Sequence, residues 1–144
     1  MVILKQPAEI DRIRDSNRIV AEVLAALQER VKAGVTTLEL DRISEEMVLK
    51  KGAKPAFKGY RGYPFSLCAS VNDEIIHGLP SARVLLEGDI VGLDFGVYYK
   101  GYYGDAAITV PVGKIPPETG SLLKTTEESL ALAIAQARPG NRVG

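Results

Sequence analysis

The stretch Leu93–Asp105 reads LDFGVYYKGYYGD. An aspartate stands near each end, and glycines and tyrosines fill the middle. Extended outward, EGDIVGLDFGVYY (87–99) and GYYGDAAITVPVG (101–113) read as two strands joined near Lys100-Gly101. Pairing Tyr99 with Tyr102 sets residue 94 opposite residue 107. Asp105 then lies two positions from that partner, on the same face as Asp94. Diagonal neighbours of this kind are about 7–8 Å apart at the backbone, within side-chain reach. Val91, Leu93, Phe95 and Val97 share the other face and read as core. Gly92 and Gly96 flank Asp94, and such glycines leave space of the kind a bound ligand needs.

Two carboxylates converging on one spot repel, so one holds a proton or a cation lies between them. The Asp–x(10)–Asp pair therefore reads as one edge of a one- or two-metal site. The plainer reading makes Asp105 a turn residue after Gly104 and Asp94 an exposed strand residue. Divalent ions take about four to six ligands. The chain offers one histidine, His77, and other acids that read as helix surface, so two aspartates alone leave such a site incomplete. His77, in NDEIIHGLP, has the chemistry of a ligand, a proton shuttle or a hydrogen-bond donor, or of a structural histidine. Phe57, Tyr60, Tyr63, Phe65 and Cys68 lie in or beside the loop upstream. They read either as walls of an apolar pocket for a long unbranched side chain or as loop anchors.

Around this centre the pattern is α/β. Pro7 precedes an apolar series, Ile10, Ile13, Val20, Val23, Leu24, Leu27 and Val31, which predicts a helix that Gly34 stops. Thr36 and Glu39 have capping-box spacing before a second helix with the stripe Leu40, Ile43, Met47, ended by Gly52. AKPAFKGYRGYPF (53–65) reads as a loop, SLCASV (66–71) as a strand, and NDEIIHGLP (72–80) as a turn with a short strand. ETGSLLKTTEESLALAIAQARPG (118–140) reads as a helix ended by Pro139 and Gly140. Its close echoes LAALQERVKAGVTTLEL earlier in the chain: a helix, a stop, then in the first copy a new helix. This echo predicts a two-part architecture, with the first part and the start of the second present here.

The 144 residues fit about one domain. Eighteen basic residues balance eighteen acidic ones, so nothing in the charge points to nucleic acid or a membrane surface. Cys68 is the only cysteine, which excludes an internal disulfide and suits a reducing cytoplasm. The start, MVILKQPAEI, lacks the charged n-region of a signal peptide, and no stretch approaches the roughly 18 apolar residues of a membrane span.

Taken in order, Gly-Tyr-x-Gly-Tyr-Pro, Cys-x-Ser-x-Asn, His-Gly and Asp-x(10)-Asp closely resemble type I methionine aminopeptidase, over essentially the whole chain. The resemblance implies the pita-bread (creatinase/aminopeptidase-like) fold, its first half plus the start of the second, with residues 1–144 as one partial catalytic domain. It implies two divalent metal ions (Co, Mn, Fe, Zn or Ni), Asp94 binding one and Asp105 bridging both. It makes His77 the substrate-side histidine that hydrogen-bonds the scissile peptide. Phe57, Tyr60, Tyr63 and Cys68 match walls of the methionine pocket, though the family often has cysteine where Phe57 stands. The implied reaction removes the initiator methionine from nascent, deformylated cytoplasmic proteins when the next residue is small and uncharged. A water shared by two metals attacks the peptide carbonyl, and ribosome association is a further expectation. The family's remaining ligands, a histidine and two glutamates, come from its second half. The chain ends at Gly144 before them, so it reads as truncated, inactive alone, and in need of a C-terminal half or partner chain. The alternatives are another pita-bread peptidase such as an X-Pro dipeptidase, and a non-catalytic fragment or binding half of a split protein.

Overall fold

The computed structural model describes residues 3–142; Met1, Val2, Val143 and Gly144 lie outside it. The elements are α1 (Pro7–Gln28), α2 (Thr37–Lys50), β1 (Lys54–Pro55), β2 (Leu67–Val71), β3 (Ile90–Tyr99), β4 (Tyr102–Pro111) and α3 (Pro117–Gln136), with a 3-10 turn at Tyr60–Gly62. Residues up to Lys114 form one compact unit and those from Ile115 a second. Among the described residues no helix is long and apolar enough to cross a membrane.

In the first unit, α1 starts at Pro7, whose fixed φ suits a first helical turn. Glu9 accepts the Gln6 N–H at 2.8 Å. Ile19, Val20, Val23, Leu24 and Leu27 form its buried stripe. The helix ends at Gln28, before Val31, whose N–H still reaches the Leu27 carbonyl at 3.0 Å. Thr36 caps α2 by accepting the Glu39 N–H at 3.1 Å.

Strand β3 is the centre of an antiparallel sheet and pairs with β4, β2 and β1. The β3–β4 register is the one the alternation predicts, with Tyr99 opposite Tyr102 and Asp94 opposite Ala107. Lys100 (φ 48°) and Gly101 (φ 90°) make the two-residue turn, whose left-handed backbone matches the twist of the strands. Val91, Leu93, Phe95 and Val97 are fully buried on one face. Helix α1 presses against β4 at Gly104, where a Cβ would stand 2.7 Å from the Asn17 nitrogen.

Three expectations are corrected. Residues 72–80 contain no strand. Asn72 and His77 both have φ 59°, and Ile75 is 91% exposed, so the apolar pair Ile75-Ile76 is a loop surface and not a sheet face. The segment 53–65 is not wholly loop, since Lys54 and Pro55 pair with Tyr98 and Val97. In the second unit the expected helix is present as α3, from Pro117 to Gln136, but it stops before the expected Pro139-Gly140 because Ala137 already leaves the helical backbone (ψ 69°), and none of its residues is buried.

Candidate metal centre

The face of β3 opposite the core carries the candidate site in rows that the register defines. One row is Cys68–Asp94–Ala107 across β2, β3 and β4. The next pairs Gly96 with Asp105, and the one beyond is Lys54–Tyr98–Tyr103. Asp94 and Asp105 are thus diagonal neighbours on one face of the sheet. Burial first, and then the charge of Asp105, push the Asp94 carboxyl above its usual range, while the nearby His77 pulls it down. Two oxygen-donor groups forced together in this way suit a divalent cation, which would relieve the repulsion. The donor set fits such an ion in kind, but among the described residues no third His, Cys, Asp or Glu joins them to complete a metal site.

Asp105 is held from α1. Its N–H donates to Asn17 Oδ1 at 3.3 Å. One residue earlier on α1, the buried Ser16 hydroxyl bonds the Tyr102 carbonyl at 3.1 Å. Neither residue stood out in the sequence. The one available signal was Ser16, a polar residue inside the apolar stripe of α1.

Cys68 is buried directly opposite Asp94. Burial, and then the two aspartates, push its thiol up, so the side chain is neutral and behaves as a small apolar group. Tyr63 is half-buried, and burial likewise raises its phenol. Its hydroxyl donates to the carbonyls of Leu67 (2.9 Å) and Gly78 (3.3 Å). Phe57 lies on the sheet at Gly96, where a Cβ would stand 2.6 Å from its Cε1 atom. The opening expected at Gly96 is therefore filled by the chain's own ring. Room remains at Gly92, where the nearest atom would be 3.6 Å away. Tyr60 stands apart at 64% exposure, with the Arg61 guanidinium 5.4 Å from its ring centre. His77 is exposed, on the loop that follows β2.

A further residue, Asp41 of α2, is 6% exposed, and its Oδ1 accepts the N–H groups of Ser66 and Leu67 at 2.8 and 2.9 Å. It ties the start of β2, and hence Cys68, to the helix layer.

A model of metallopeptidase family M24 matches residues 11–144. Methionine aminopeptidase 1 of Bacillus subtilis is 46% identical over 143 residues, covering 99% of this chain and 58% of its own length. The methionine aminopeptidase of Aquifex aeolicus is 50% identical, covering 94% of this chain and 55% of its own length. The crystal structure of methionine aminopeptidase from Thermotoga maritima matches with a TM-score of 0.97 and 40% identity, over 100% of this chain and 58% of that one. The α/β pita-bread fold expected from the sequence is thus the fold found. The chain spans less than two-thirds of the length of each of these relatives.

Proposed function

The chain belongs to metallopeptidase family M24, and from that premise we propose that it carries the carboxylate pair and the substrate wall of a methionine aminopeptidase. The observation that carries this reading is the placement of Asp94 and Asp105 as diagonal neighbours on one sheet face, with Cys68 opposite Asp94. Membership of a metallopeptidase family implies a metal cofactor. Asp94 and Asp105 would hold it, as two divalent ions in the full site. Such ions supply an activated water and polarise a carbonyl.

The chain's own residues do the rest. His77, on the loop that follows β2, donates a hydrogen bond to the scissile peptide and to the negative charge that develops on its oxygen. Cys68, Phe57 and Tyr63 form the methionine pocket, and Tyr60, which stands apart here, joins it only by moving in from the loop surface. The neutral thiol and the Phe57 ring present apolar surface to a thioether side chain. Discrimination by such a pocket is worth about 1–3 kcal/mol per methylene. The substrates are amino-terminal methionine peptides of nascent chains, met at the ribosome in the cytoplasm. Residues 1–144 act as part of one catalytic domain, and ligands from outside these residues, a histidine and two glutamates in the family pattern, complete the shell.

The test is a chimera that joins this chain to the portion of the Aquifex aeolicus enzyme that it does not match. It should release methionine from Met-Ala-Ser with Mn²⁺ or Co²⁺, and Asp105→Asn should abolish release. The 144-residue chain by itself should release none. A folded chimera that spares Met-Ala-Ser but cleaves an X-Pro dipeptide would move the assignment to that branch, and one inert on both would support a non-catalytic role.

A further inference from the structure

The alternation Cys68-x-Ser70-x-Asn72 sets three side chains to work, and the site described above uses only the first. Asn72 Oδ1 accepts the Ile90 N–H at 3.0 Å, and its Nδ2 donates to Asp89 at 2.8 Å, closing the base of the loop that follows β2. Ser70 acts at the far end of that loop. Its Oγ accepts the Gly78 N–H at 3.0 Å. The Gly78 carbonyl in turn accepts the Ala69 N–H at 3.0 Å and the Tyr63 hydroxyl at 3.3 Å. Both polar groups of Gly78 are therefore fixed on the edge of β2. The approach is too close for any side chain, because a Cβ at Gly78 would stand 2.3 Å from the Ala69 oxygen. The residue just before it is His77, in the left-handed region at φ 59°, which a non-glycine residue holds only when its surroundings impose it.

We propose that Ser70 is a positioning residue for His77: by holding the Gly78 N–H it seats the loop on β2 and aims the imidazole at the Asp94 row. The inference rests on the reading of His77 as the substrate-side donor. Without the Ser70 acceptor, the Gly78 N–H loses its partner, and His77 is free to leave its left-handed backbone. The row behind Ser70 leaves space for a larger hydroxyl residue, since Gly92 opposite has no side chain.

His77 is the only histidine, so its imidazole signals in the NMR spectrum of the chain identify themselves. In the native chain, Asp94→Asn should shift those signals, and the Gly78 amide should exchange with solvent at least about tenfold more slowly than the amides of Ile75 and Ile76. In Ser70→Ala, the Gly78 protection should fall by about tenfold and the effect of Asp94→Asn on the imidazole should vanish, while the sheet amides keep their shifts. Ser70→Thr should restore both readouts. An unprotected Gly78 amide in the native chain overturns the proposal, and it needs no variant to fold. So does an imidazole that responds to Asp94→Asn equally with and without Ser70, or a loss that Ser70→Thr leaves in place. None of these readings needs turnover. They can fail while the chimera cleaves Met-Ala-Ser, and they can hold while it does not.

Discussion

At the scale of single residues, Asp41 has the sharpest consequences. Its one oxygen serves two buried backbone donors, Ser66 and Leu67. Truncation to alanine leaves both donors without partners and should cost about 2–4 kcal/mol in urea unfolding. Asparagine keeps the accepting oxygen and should cost far less. Burial first raises the Asp41 carboxyl above its ordinary value, so the folded state holds the proton more tightly than the unfolded chain does. The native protein should therefore lose stability from this group as pH rises from the usual aspartate range, near about 4, through the folded value. Asp41→Asn should remove that loss, so its stability relative to the native chain should improve from pH 4 to pH 7. An unchanged difference between the two pH values would contradict the assignment. Sequence reasoning placed Asp94 and Asp105 on one face because strand alternation and a two-residue turn fix which residues share a face. It missed Asp41 and Asn17, and gave Ser70 no role of its own, because each acts on a backbone group that local pattern does not bring near. Asp41 meets the Leu67 N–H 26 positions away, and Asn17 meets the Asp105 N–H 88 positions away.

At the scale of elements, the β3–β4 hairpin is the part of the fold most fully written in local sequence. Its glycines divide by what approaches them. Gly104 faces helix backbone at Ser16 and Asn17, which has nowhere to go. Gly104→Ala should cost about 3 kcal/mol, read as a fall in thermal midpoint, by forcing α1 off the sheet. Gly96 faces the Phe57 ring, which can tilt away. Gly96→Ala should cost about 1 kcal/mol in the native background and less in Phe57→Ala, where the Ala56 Cβ at 3.1 Å still crowds the new methyl, a coupling that a double-mutant cycle reads directly. Equal costs in the two backgrounds would mean that Phe57 does not rest on Gly96. The loop after β2 shows where local reading fails. Ile75 and Ile76 look like strand residues, but the left-handed turn at Asn72 and the Gly78 contact with β2 lift them into solvent. That geometry is set by tertiary hydrogen bonds, and side-chain type carries little of it.

At the scale of the whole molecule, the first unit packs one core between α1, α2 and the sheet, including Leu27, Leu40, Leu67, Leu93 and Phe95. In the first unit Ile75, Ile76, Leu79 and Leu86 on one connection are more than half exposed, and so, in the second unit taken by itself, are Leu122, Leu130, Leu132 and Ile134 on α3. So much apolar surface should drive self-association, visible as a concentration-dependent sedimentation coefficient. A single sharp monomer boundary at every concentration would contradict that. The α/β architecture was legible because helix and strand periods alternate along the chain. The candidate site was legible only in part: alternation places the two aspartates on one face, but among the described residues no third His, Cys, Asp or Glu joins them. The measurement that tests the central claim most directly is a Mn²⁺ titration of the isotope-labelled chain, followed by paramagnetic broadening. Weak but localised binding should broaden Asp94, Asp105, their strand neighbours and the His77 imidazole first, and Asp105→Asn should abolish that pattern. Broadening spread over the acids of α1 and α2, and unaffected by Asp105→Asn, would show that the two aspartates do not form a metal centre.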